Sequence, residues 1–127
     1  MSNDQGIVEF SATMTSVTVT PGTAGNLVGH TNVEGSSKEF GPFHGTVTYT
    51  PAGHARGTWE YHAYAFPPDG KVVTGSARGL FEAVGPTRWR TTGAGTLMVG
   101  DTPVSMKIDA VADQSTRTWA GRLLPIG

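Results

Sequence analysis

Cysteine is missing altogether from the 127 residues, which removes disulfides, thiolate nucleophiles and every Cys-ligated metal site. Packing alone must hold the fold. An excess of charge is missing too: ten acidic residues stand against nine basic ones, for a formal net charge of -1. Without a positive field there is nothing to hold a polyphosphate backbone, so no nucleic-acid partner is expected. Nor does any stretch approach the roughly 18 apolar residues of a membrane-spanning helix. The segment from Met1 to Gly6 carries neither a basic n-region nor an apolar h-region. A cytoplasmic protein with no membrane partner is the expectation.

Helix-forming residues are scarce as well. Five Leu and three Lys are set against eighteen Thr, twelve Val and eighteen Gly, and β-branching and glycine both work against helices. Apolar residues nowhere recur at helical spacing over three turns. Instead the chain is punctuated by turn signals: Thr20-Pro21-Gly22, Gly25-Asn26, Glu34-Gly35-Ser36-Ser37, Pro51-Ala52-Gly53, Pro67-Pro68-Asp69-Gly70, Gly85-Pro86, Gly100-Asp101 and Asp113-Gln114-Ser115. Eight strands are predicted between them, over 7–20, 26–33, 43–50, 57–66, 71–84, 88–99, 102–112 and 116–124.

The length fits a single domain over 1–127. Connections this short permit only antiparallel neighbours, and closing the sheet on itself removes the two edges an open sheet would expose. The predicted fold is all-β, a single antiparallel meander barrel of about eight strands, with a sandwich as the alternative. A barrel of this size has room for filled packing or for one small ligand.

Two-residue alternation sorts the side chains by face. In strand 57–66, Trp59, Tyr61, Ala63 and Ala65 point one way, and Glu60, His62, Tyr64 and Phe66 the other. In strand 71–84, Gly75, Ala77, Gly79 and Phe81 oppose Ser76, Arg78, Leu80 and Glu82, the small residues marking the side where space is needed. Strand 88–99 sets Arg88, Arg90 and Thr92 against Trp89, Thr91 and Gly93.

Glu60 and His62, at i and i+2 on one face, can bring a carboxylate beside an imidazole, a pairing that orients the ring and supports proton transfer. The same pattern also describes a solvent-facing stripe on the outside of a barrel. Tyr64 extends the face, and Arg78 on the next strand can join it by pairing with Glu60 or Glu82. Metal binding is not expected, because His30, His44, His54 and His62 lie at long, irregular spacings with no His-x-His among them. His54 reads as a turn residue. A Gly-x-Ser-x-Gly elbow and a phosphate loop leading into a helix are both missing, so covalent acyl chemistry and nucleotide cofactors are not expected either.

Gly57-Thr58-Trp59 and Ser115-Thr116-Arg117-Thr118-Trp119-Ala120-Gly121 resemble the opening and closing strands of avidin-type barrels. Here the Gly-Thr-Trp falls near mid-chain, so no biotin-site residue carries over. The short Gly- and Thr-rich strands, the segment Phe43-His44-Gly45-Thr46-Val47 and the aromatic-polar central strand resemble the calycin and allene-oxide-cyclase-like barrels. That resemblance implies a cofactor-independent cyclase or isomerase that folds a largely apolar polyketide- or lipid-like intermediate inside the barrel. Shape and a few polar contacts would then stand in for a triad.

On this reading Glu60, His62, Tyr64 and Arg78 are the catalytic groups, and Trp59, Tyr61, Phe81, Trp89 and Arg90 contact the substrate. The competing expectation is a non-catalytic barrel carrying a small apolar ligand in a pocket walled by Trp59, Trp89, Trp119, Tyr49, Tyr61, Tyr64, Phe43, Phe66 and Phe81. A third places the aromatic faces against a second copy, as a homodimer.

Overall fold

A strict alternation of covered and exposed residues runs along most of the chain, and the computed structural model resolves it into one wall with an inside and an outside. The structure describes residues 6–53 and 55–126; His54 lies outside the described residues. The strands are β1 (Val8–Pro21), β2 (Leu27–Ser37), β3 (Gly41–Pro51), β4 (Arg56–Ala65), β5 (Val73–Ala83), β6 (Arg88–Val99), β7 (Thr102–Asp113) and β8 (Thr118–Pro125). Each pairs antiparallel with its successor, and β8 pairs back onto β1, closing an eight-stranded barrel. Closure leaves the sandwich alternative behind. Among the described residues the helical content is a single 3-10 turn, Thr23–Gly25.

The second strand departs most from its sequence-based bounds. Glu34-Gly35-Ser36-Ser37 reads as a turn but continues β2, and the chain reverses after it, with Gly41 in the left-handed region at φ 69°. Gly35 is there for close approach: a Cβ on it would run into the backbone oxygen of Ser11 on β1.

A β-bulge in β1 sets the inner face. Met14 pairs with Val33 and Ser16 with Asn32, so Thr15 is the extra residue. Before the bulge Val8, Phe10, Ala12 and Met14 are buried; after it Val17 and Val19 share a face with their β2 partners Thr31 and Gly29. β8 pairs with β1 only from Val8 to Thr13. Beyond Thr13, β1 pairs with β2 alone, and Val19 and Leu27 near the ends of these strands are exposed.

Large rings meet across the lumen because the opposing walls are small. β4 and β8 lie four strands apart in a ring of eight, on opposite walls, yet the Trp119 ring on β8 stands 5.0 Å from Tyr61 and 6.0 Å from Trp59 on β4. Phe10 on β1 completes the belt at 5.2 Å from Trp119. Trp59 and Trp119 are only 2% and 3% exposed, and burial of two indoles is the largest apolar contribution in this core. Space for them comes from inward positions such as Gly79 and Gly93, a register pair on β5 and β6. A Cβ on Gly79 would strike the Thr92 carbonyl, and one on Gly93 the Arg78 carbonyl. The wall coils too tightly there for any side chain.

Candidate functional site

The aromatic belt divides the lumen into two cavities. The lower one, at the end where β2 turns into β3 and β4 into β5, measures about 90 Å³ and is walled by residues such as Val8, Phe43, Tyr61, Val73 and Leu97. Burial alone raises the Tyr61 phenol well above its ordinary value, so it stays neutral and acts as a wall rather than as an acid or base. The upper cavity opens between the β3–β4 and β7–β8 hairpins and measures about 370 Å³. Only the upper one reaches the size of an ordinary small-molecule pocket.

Aromatic side chains make most of the upper wall: Trp59, Trp89 and Trp119, with Tyr49 and Phe81. The last two are held by glycines on the neighbouring strand. The Tyr49 ring lies over Gly29 and the Phe81 ring over Gly57, each occupying the place a Cβ would take on its register partner.

Polar groups in this cavity are few and mostly committed. Trp59 Nε1 donates to the Leu80 carbonyl at 3.0 Å. Trp119 Nε1 donates to Thr91 Oγ1 at 2.9 Å, and that hydroxyl donates to the Ala110 carbonyl at 3.0 Å. Of the buried ones Thr31 is the exception: it is 3% exposed, lines the cavity, and its Oγ1 has no hydrogen-bond partner. Its register partners are Val17 and Val47, which offer it nothing. Among the described residues no Asp, Glu, Lys, Arg or His lines the cavity.

The four expected catalytic residues do come together, but on the outer wall. Glu60 and Arg78 are register partners, His62 Nε2 lies 3.5 Å from Glu60 Oε2, and His62 Nδ1 is 3.0 Å from Ser76 Oγ. Tyr64 packs on the outside against His44 and Phe66. All four are exposed, so the expectation that they line the lumen is corrected: antiparallel alternation turns this polar face to solvent and the Trp59 face inward. Arg90 is corrected in the same way, since it points outward and holds Asp109 through Nε at 3.2 Å and Nη2 at 3.0 Å. That hydrogen bond and charge raise its already high pKa further.

Of the expected substrate contacts, Trp59, Phe81 and Trp89 line the upper cavity and Tyr61 the lower one. Phe43 also lies inside, whereas Phe66, expected in the wall of a carrier, lies on the outer face. Thr31 was not legible in the sequence: one threonine in eighteen carries no mark of being the unpaired one. The signal available for orienting β4 was its run of small residues, since Gly57, Ala63 and Ala65 share a face with Trp59.

The fold and cavity define a closed eight-stranded antiparallel barrel, an architecture consistent with the calycin-like barrels. Comparison with protein-family models, with curated proteins and with solved structures finds no match.

Proposed function

We propose that the protein binds one small, largely apolar molecule in the upper cavity of the barrel. The observation that carries this reading is the combination of about 370 Å³ of space with walls formed by three tryptophans, a tyrosine and a phenylalanine. Flat apolar molecules gain most from such walls, through burial and offset or edge-to-face ring contacts. Glycine-backed rings at Tyr49 and Phe81 support a preformed site, which lowers the ordering cost of binding.

The second reading is a cofactor-independent cyclase or isomerase of the allene-oxide-cyclase-like kind, acting on a polyketide- or lipid-like intermediate. The aromatic walls also favour it, because a pocket that fixes one conformer of a flexible chain can accelerate its closure by orientation alone. Acid–base assistance from Glu60, His62, Tyr64 or Arg78 is no part of this second reading, since none of them lines the cavity.

Thermal unfolding with a panel of neutral aromatic and alicyclic compounds tests the binding reading. Saturable stabilisation is expected, growing with the logarithm of ligand concentration above the dissociation constant. Ala112→Phe, which fills the cavity from β7, should abolish it. Stabilisation by no compound, or equal stabilisation of Ala112→Phe, would count against this site. Product formed from a polyene or epoxide chain would favour the catalytic reading.

A further inference from the structure

From the unpaired hydroxyl of Thr31 in the upper cavity, we infer that the ligand is an uncharged ring compound carrying one hydroxyl or carbonyl group, and that Thr31 Oγ1 binds that group. The inference rests on the binding reading above and deepens it. A hydroxyl removed from water and left without a partner is costly, and most buried polar groups in folded proteins avoid that state. Here the residue is almost wholly buried, faces the lumen and has valines on both neighbouring strands at its level. Trp59 Nε1, Trp119 Nε1 and Thr91 Oγ1 already have partners within the protein, while Tyr49, Trp89 and Gln114 on the same wall are only partly buried or exposed. Among the described residues Thr31 Oγ1 is the buried polar side-chain atom that remains to be matched.

The character of the ligand follows from what surrounds this atom. Because a threonine hydroxyl both donates and accepts, it serves a hydroxyl or a carbonyl equally. A carboxylate or an amine would enter a site where, among the described residues, no side chain of opposite charge lines the wall. Burial of such a charge without a partner is far more costly than burial of a neutral group. The rings of Trp59, Trp119 and Phe81 line the same cavity and call for a flat apolar body, with the polar group aimed toward β2.

Naphthalene and 2-naphthol, which differ by one hydroxyl, supply the probes. Titration calorimetry on the wild type, Thr31→Val and Thr31→Ser gives a coupling cycle that isolates this one contact. The expected result is about tenfold tighter binding of 2-naphthol than of naphthalene to the wild type. That preference should persist in Thr31→Ser and vanish in Thr31→Val, whose affinity for naphthalene is unchanged. An equal preference in the wild type and Thr31→Val, as when solvent serves the hydroxyl, would overturn the assignment and leave the cavity reading standing. Failure of both probes to bind the wild type would overturn the cavity reading itself.

Discussion

Trp119 and Thr91 are tied across β8 and β6 by a 2.9 Å hydrogen bond from the indole nitrogen to the hydroxyl oxygen, and both are buried. The bond fixes the orientation of the ring that separates the two cavities. Thr91→Val keeps the shape and removes the acceptor, leaving an indole N–H without a partner in the core. A loss of about 1–3 kcal/mol in denaturant unfolding is expected. Adding Trp119→Phe to Thr91→Val should cost less than the sum of the two single changes, because the second removes the stranded donor. Simple additivity would show that the bond does not contribute.

Thr31 gives the opposite sign. With its hydroxyl buried and unpaired, Thr31→Val should stabilise the ligand-free protein, by ~1 kcal/mol or more. A raised unfolding midpoint with an unchanged denaturant slope is the expected observation. A lowered midpoint would show that the hydroxyl has a partner in solution.

Alkaline stability is set in part by Tyr61, whose phenol is held by burial above its ordinary value of 10.0. The folded state then binds the proton more tightly than the unfolded one. Its contribution is fully present below about pH 10 and is lost as pH rises beyond that value. Tyr61→Phe should flatten the fall in melting temperature between about pH 10 and 12 and leave neutral stability little changed. An unaltered alkaline limb would place the loss elsewhere.

The outer cluster predicts silence. Glu60 and His62 are more than half exposed, and an exposed pair of this kind contributes little. Glu60→Gln, His62→Ala and Arg90→Ala should leave ligand-induced stabilisation as it is, and the first two should change stability by no more than ~0.5 kcal/mol. A tenfold loss of binding in any of them would move the site to the outside of the barrel.

Glycines of the inner wall divide by what a methyl group would meet. At Gly79 it would strike the backbone of β6, whereas at Gly75 the contact is the end of the Leu97 side chain, at 2.9 Å, beside the lower cavity. Backbone cannot yield as a leucine tip can. Gly79→Ala should therefore cost about 2–3 kcal/mol or more and Gly75→Ala much less, by equilibrium unfolding. Equal costs would contradict the tight coiling of β5 on β6.

The succession of strands was legible because turn chemistry and β-branching act locally, and seven of the eight runs differ from their predicted bounds by two residues or fewer. β2 was cut short because Gly35 and its serine neighbours look like a turn, although the glycine answers to a backbone on another strand. The inward face of β4 was harder. Both of its faces carry aromatics, Trp59 and Tyr61 on one and Tyr64 on the other, so hydrophobicity alone does not separate them. What separates them is volume: closure forces small residues inward, and Gly57, Ala63 and Ala65 lie with Trp59. The bulge at Thr15 left no mark in a run where threonine, serine and valine alternate. The pocket chemistry followed the same rule, since pairing of Thr31 with two valines is a matter of register, which emerges only when the sheet closes.

All three tryptophans of the chain line the upper cavity, so the indole emission of the protein arises from residues of its wall. Trp59 and Trp119 stand 6.0 Å apart inside it, close enough to exchange excitation, and Trp89 lies nearer the mouth. A molecule entering there would touch the only indoles the protein has, and would change colour and intensity together without any attached dye. The barrel is in that sense its own optical sensor: Trp59 and Trp89 report the upper cavity, and Trp119 reports both sides of the belt.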